Sequence, residues 1–388
     1  MMIITKKVSS LILALGCFST LSACYEPHTK ERNLIAVHAV SHPVQKQIKV
    51  ALLLDTSNSM DGLINQAKAR LWDIVNELSY ARCDGYAPNF KIALYEYGND
   101  GLPSSEGYIR QVTGFTDDLD EISEKLFSLT TNGGNEFCGQ VIMSSLQQLD
   151  WGSNPDDLKM IFIAGNEPFT QGPAHYQDAA AQAKEKNVIV NTIFCGDRDH
   201  GIQGKWQQGA ILTGGDYMTI DHNALIVEIK TPYDVLIIQL NEKLNKTYIP
   251  YGKRGIQKAR MQAEQDVNAA SINNEIQLKR AVSKSSALYK NSSWDLVDAS
   301  KEKGFAYESL EETELPEKLR GKSSAEIREY VTEVATEREE IQKQIQELNS
   351  KREAYIVTQN RKSTSKGLES AMIKAIKKQA ALKNYVWD

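Results

Sequence analysis

At 388 residues, with 41% hydrophobic content and a formal net charge of −5, the chain has room for two domains and for at least one sizeable core. The acidic balance provides no basic field for nucleic acid. Past the N-terminus, no apolar stretch is long enough to span a bilayer.

The first residues read as a targeting segment. Lys6 and Lys7 form a charged start, Val8 to Thr20 a mostly apolar run, and Leu21-Ser22-Ala23-Cys24 ends it with small residues ahead of a cysteine. The L-S-A-C tetrapeptide resembles the lipobox of bacterial lipoproteins. That resemblance implies a signal over 1–23 and lipidation of Cys24, where multiple acyl chains would anchor stably; an ordinary secretory signal is the alternative. Tyr25 stands where an aspartate typically retains such proteins in the inner membrane of Gram-negative bacteria, so the expectation is the outer membrane, facing the periplasm. Residues 24–46 are polar and read as a tether. Pro43 argues against a helix that would align His38 and His42 on a metal.

Ile48 to Leu54 is apolar but for Lys49 and ends at Asp55-Thr56-Ser57-Asn58-Ser59, ahead of helical spacing at Ile64, Ala67, Leu71, Ile74, Val75 and Leu78. This is a buried strand running into a turn and a helix. Phe90–Tyr97 reads as a second strand and 108–112 as a short edge strand. A helix is expected over 117–129, a loop over 130–136 and a helix over 138–149. Strand 158–164, helix 174–186, strand 188–194, helix 203–212 and strand 216–220 follow. Pro232 opens a closing helix that carries Val235, Leu236, Ile238, Leu240 and Leu244. Strands alternating with helices predict an α/β fold with a doubly wound, mostly parallel, Rossmann-like sheet over 47–246.

Beyond Gly252 glycine becomes scarce and Lys, Glu, Gln and Ala dominate, so 247–388 is expected to be a helical domain. Helices are expected over 254–290 and 366–383. Between them Ile327, Val331, Val334, Arg338, Ile341, Ile345, Leu348, Arg352 and Tyr355 repeat with 4-3 spacing, a coiled-coil seam within 323–356 in which two arginines can fix register. The seam either packs back within the chain, on helix 254–290 or 366–383, or pairs two chains.

Of the five cysteines, Cys17 lies in the signal and Cys24 at its end. Cys138 and Cys195 fall toward the loop end marked by Asp55, and Cys83 toward the other. A Cys138–Cys195 disulfide and three buried free thiols are both compatible with an oxidising compartment.

Asp55, Ser57 and Ser59 offer a carboxylate and two hydroxyls from one loop, oxygen donors suited to Mg²⁺, Mn²⁺ or Ca²⁺. The loop stands after a strand and before a helix, where open α/β sheets bind ligands. The D-x-S-x-S segment resembles the first metal loop of a von Willebrand factor type A (VWA) domain, and the resemblance runs over roughly 47–246. In that family a second loop gives a threonine in a frame like T-x-x-G-x-A-L; here Glu136-Phe137-Cys138-Gly139-Gln140-Val141-Ile142 fits the frame with glutamate first. The third loop normally reads T-D-G after a strand; here Ala164-Gly165-Asn166-Glu167 puts Gly165 in the aspartate's place. One acid is lost and one gained, so a rearranged site of Asp55, Ser57, Ser59 and Glu136 is expected, with Asn166 or Glu167 as further oxygen donors. The alternative is a site that binds no metal, with Glu136 placed at a helix N-terminus.

The resemblance implies a non-enzymatic binding module whose cation accepts a carboxylate from a protein partner. No nucleophile–base pair stands out, and His200 reads as a solvated loop residue. A different reading is a metal-free scaffold of an envelope complex that self-associates through the helical domain.

Overall fold

Strand β1 (Gln47–Asp55) lies at the centre of a six-stranded sheet. β3 (Asn89–Tyr97) and β5 (Leu158–Gly165) flank it, both parallel to it. β6 (Ile189–Cys195) and β7 (Tyr217–Ile220) extend the sheet in parallel on one side, and β4 (Ile109–Thr116) closes the other side as an antiparallel edge. The computed structural model describes residues 46–221, 229–360 and 368–387. The expected signal, the tether up to residue 45 and the lipidation residue Cys24 lie outside the described residues. No helix among the described residues is long and apolar enough to cross a membrane.

Alternation along β1 sorts the core into two layers, because successive side chains in a strand point to opposite faces. Ile48, Val50, Leu52 and Leu54 face one apolar cluster, Ala51 and Leu53 the other. The second face is covered by α3 (Cys138–Gln148), α4 (Tyr176–Glu185) and α6 (Trp206–Ile211). The first is covered by α1 (Asp61–Ser79), α2 (Leu119–Ser128) and α7 (Asp234–Lys246), then by the helices that follow. Asp118 caps α2, accepting from the backbone N–H groups of Asp120 (3.1 Å) and Glu121 (3.0 Å).

The C-terminal helices are α8 (Gly255–Ile272), α9 (Asn274–Lys284), α10 (Leu296–Ala299), α11 (Ser324–Asn360) and α12 (Leu368–Ala381). Ile276, Leu278, Ile345 and Ile376 share one apolar cluster with Ile48 and Val50, so these helices close a face of the sheet. The 4-3 seam of α11 is turned inward. Ile327, Val331 and Val334 pack in a small cluster with Ile249, Leu296 and Leu315, while Ile341 and Ile345 join the main core. Its principal neighbour is α7, with α9 and α10 beside it, rather than the 366–383 segment. Both seam arginines are paired within the chain, Arg338 with Asp295 and Asp298, Arg352 with Asp234 and Glu275.

Several boundaries differ from the sequence reading. The expected helix 203–212 is two short helices, α5 (Arg198–Gln203) and α6, separated at Gly204-Lys205 where Lys205 takes φ 72°. The edge strand starts after Tyr108, itself at φ 57°, and continues to Thr116 with two register shifts against β3. A two-residue clip of β2 (Ala81–Arg82) and β8 (Val386–Trp387) is too short to leave a period in the sequence.

The Cys138–Cys195 disulfide is not formed: Cys83, Cys138 and Cys195 are free and buried. The reason is the pleat. Cys138 lies in the cluster on the α3 face, whereas Cys195, one residue after the α3-facing Phe194, lies in the cluster on the opposite face. The three thiols are accordingly expected to resist a maleimide in the native chain and to react once it is unfolded in urea. A native chain that migrates faster without reductant would contradict this.

Candidate metal centre

The loops that follow β1, α2 and β5 meet at the carboxyl end of the sheet, beside the turn after β3. Asp55 ends β1 opposite Tyr97 in register, and its Oδ1 accepts the Ser57 backbone N–H at 2.7 Å. That bond folds the first loop back over the strand end, where Ser57 Oγ is buried and Asn58 and Ser59 are exposed. The second loop is pinned by backbone bonds: Asn132 N–H donates to Thr56 O (3.0 Å), and Asp100 N–H to Gly133 O (2.6 Å). A hydrogen bond between Thr131 and Asp61 ties it to the start of α1. Gly134 lies so close to the β3 turn that a Cβ there would stand 2.5 Å from Gly98 O, so only glycine fits without a shift. Two residues before α3, Glu136 donates its N–H to Gln171 Oε1 (2.7 Å) and turns its side chain inward.

Asp55 is 0% and Glu136 4% exposed, and both line the space above Gly98, where a Cβ would lie 2.9 Å from Asp55 Oδ1 and 2.8 Å from Glu136 Cγ. Two carboxyls in one buried space cannot both ionise at ordinary pH without a cation. Burial raises the Asp55 carboxyl, and its closeness to Glu136 and the Ser57 backbone N–H only offset part of that rise. Glu136 is raised to about 9, chiefly by burial and then by Asp55, and the nearby charge of Glu167 pushes both groups further up. Without a cation, the upward direction of both groups favours a proton retained by the pair.

The donors are of the chemical kind that a hard divalent cation takes, although among the described residues no three His, Cys, Asp or Glu side chains are grouped to hold a metal. Asp55 Oδ2, Ser57 Oγ, Glu136 Oε2 and Asn166 Oδ1 are buried without a hydrogen-bond partner, and buried polar atoms in native proteins nearly always have one. All are oxygens, which suits Mg²⁺, Mn²⁺ or Ca²⁺. Of the residues expected from the sequence, Asp55, Ser57 and Glu136 come together in the interior. Ser59 and Asn166 meet at the rim, where Asn166 Nδ2 donates to Ser59 Oγ at 3.1 Å. Glu167 is exposed beside them, its backbone carbonyl accepting from Trp206 Nε1 (2.7 Å). His200 is exposed on α5.

Tyr97 is the residue that sequence reasoning missed at this centre. The sequence places it at the end of a strand, and it is fully buried, but its hydroxyl reaches the end of β5 and donates to Ala164 O at 2.9 Å. The signal was the strand order: once β3 lies beside β1, Tyr97 must stand level with Asp55.

The VWA domain family matches residues 49–201. Among solved structures, the chain is similar to the conserved hypothetical protein BatB from Bacteroides thetaiotaomicron, at 18% identity over 45% of this chain and 90% of that one, with a TM-score of 0.34. It is also similar to an aerotolerance-related membrane protein from Bacteroides fragilis, at 17% identity over 45% and 92% of the two chains, TM-score 0.31. A third is the SpRpn10 VWA domain, at 14% identity over 45% and 88%, TM-score 0.34. No curated relative matches the sequence. With the parallel sheet and the family match in agreement, the chain carries a von Willebrand factor type A domain over residues 49–201, followed by a helical C-terminal region.

Proposed function

We propose that this is a non-enzymatic, lipid-anchored envelope protein whose VWA domain binds a protein partner through a divalent cation. The observation that carries the reading is the group of unpaired buried oxygens on Asp55, Ser57 and Glu136 at the mouth of the loops. Asp55 and Glu136 supply two anionic ligands, Ser57 and Ser59 hydroxyl oxygens, and Asn166 and Glu167 stand at the rim on the third-loop side. A bound cation would supply a coordination position for an oxygen of the partner, of which a carboxylate is the strongest candidate. The backbone bonds that hold the second loop keep Glu136 in place before any ion arrives.

The anchor is read from Leu21-Ser22-Ala23-Cys24, and outer-membrane placement facing the periplasm from Tyr25. Residues 47–246 serve as the binding domain and 247–388 as its brace. The brace is favoured over assembly between chains because the α11 seam is buried within the chain.

A ligand that binds only the native state stabilises it, by about 2.7 kcal/mol at a hundredfold excess over Kd, which for a chain of this size is a rise in Tm of about 3–4 °C. The chain from residue 25, freed of metal with EDTA, is expected to show such a rise with Mg²⁺, Mn²⁺ or Ca²⁺ and to lose it on renewed chelation. No shift with any of the three would remove the cation from the reading.

A further inference from the structure

We propose that Tyr97 and Gly165 form a matched pair that excludes an acid from the third loop, so that the second carboxylate of the centre must come from Glu136. A Cβ on Gly165 would lie 2.5 Å from the Tyr97 hydroxyl oxygen, closer than real Cβ atoms approach anything, and 3.1 Å from Asp55 Oδ2. The indole of Trp206 stands 3.2 Å away on another side. Tyr97 has no room to withdraw. Its ring is fully buried, its hydroxyl is held to Ala164 O, and Cys138 Sγ lies 3.7 Å from that hydroxyl. A side chain at 165 would therefore meet the fixed end of a packed ring, not the tip of a mobile one.

The space that Tyr97 closes on the third-loop side is matched by space opened on the second-loop side. Gly98, the residue after Tyr97, takes φ 80° and carries no side chain where Glu136 Cγ approaches. One dipeptide at the end of β3 thus does both: the phenol of Tyr97 fills the third-loop corner and Gly98 admits the glutamate from the second loop. With Glu167 exposed at the rim, all the buried acid of the centre then comes from the first two loops. Tyr97 is a positioning residue in this arrangement, since its hydroxyl is bonded to the backbone and not to Asp55 or Glu136.

The test is a set of variants of the full chain, read two ways. By urea unfolding without metal, Gly165→Asp is expected to lower the folding constant at least tenfold more in the native background than in a Tyr97→Phe background, which lacks the obstructing oxygen. Equal losses in both backgrounds would overturn the steric pairing, and this readout stands whether or not the chain binds a cation. By Mn²⁺ titration, Glu136→Thr is expected to weaken binding at least tenfold in the native chain and to be rescued at least tenfold when Gly165→Asp and Tyr97→Phe are both present. Failure of that rescue in a folded, Mn²⁺-binding background overturns the relocation of the acid. The titration rests on the cation reading above, and absence of Mn²⁺ binding in the native chain would instead count against that reading and leave the pairing to be decided by the unfolding cycle.

Discussion

Replacing Arg338 with alanine is expected to destabilise the chain by about 3–5 kcal/mol, the penalty for leaving a buried charge without its partner. Arg338 is 1% exposed and directs its guanidinium nitrogens at five acceptor contacts. Nη1 bonds Asp295 Oδ2 (2.6 Å) and Asp298 Oδ1 (3.0 Å), Nη2 bonds Thr247 O (2.6 Å) and Asp295 Oδ1 (3.1 Å), and Nε bonds Thr247 Oγ1 (3.0 Å). The guanidinium also lies 4.3 Å from the Tyr248 ring centroid. Asp295 cannot relax away, because its oxygens also accept from the N–H groups of Ile249 (2.7 Å) and Asp298 (3.0 Å). Without the arginine, two neighbouring carboxyls remain, and burial and the Asp295 charge already push Asp298 upward. Lysine has neither the fork nor the planar face, so Arg338→Lys is expected to recover little. Urea unfolding measures the loss; a change below about 1 kcal/mol would show that the seam arginine does not set the position of α11.

The second large effect is a pH dependence of the metal-free chain. Glu136 is raised to about 9 in the folded protein, against an ordinary value near 4.5. Between those values the native state holds a proton that the unfolded chain has released, so stability is complete below about pH 4.5 and falls as pH rises toward 9. The slope approaches about 1.4 kcal/mol per pH unit where one proton separates the two states. Glu136→Gln keeps the shape without the titration, and the metal-free variant is expected to be the more stable chain at pH 8 and to lose most of this slope. A wild-type stability that rises through pH 6–8 in EDTA, with the variant unchanged from it, would contradict the shared proton. A cation that binds both carboxylates should expel that proton near neutral pH, so its binding enthalpy should depend on the ionisation enthalpy of the buffer.

Much of this was legible in the residues, for physical reasons that also mark where legibility stopped. The apolar run before Asp55 could only be a buried strand, and alternation of strands with 3.6-period helices determined the parallel sheet. The exchange of acids between Glu136 and Gly165 was visible as a departure from a pattern. What held that exchange in place was not, because Tyr97 is 39 and 68 positions from those residues and meets them only through strand pairing. The cysteine pairing misled because nearness along the sheet does not say which face a side chain takes. The 4-3 seam falls on one long helix, but the expected coiled coil gives way to packing against α7, α9 and α10, because periodicity does not name the partner. That α7 would lie against it depended on Arg338 and Arg352 finding carboxyls on other elements.

Whether the buried oxygens of Asp55, Ser57 and Glu136 hold a divalent cation is decided by isothermal calorimetry. Mg²⁺, Mn²⁺ and Ca²⁺ would each be titrated into the metal-free wild-type chain and into Asp55→Ala and Glu136→Ala, with folding of each variant checked by circular dichroism. One ion is expected to bind per wild-type chain for at least one of the three metals, with that binding lost in both folded variants. No binding by the wild-type chain, or binding that survives in both variants, would contradict it.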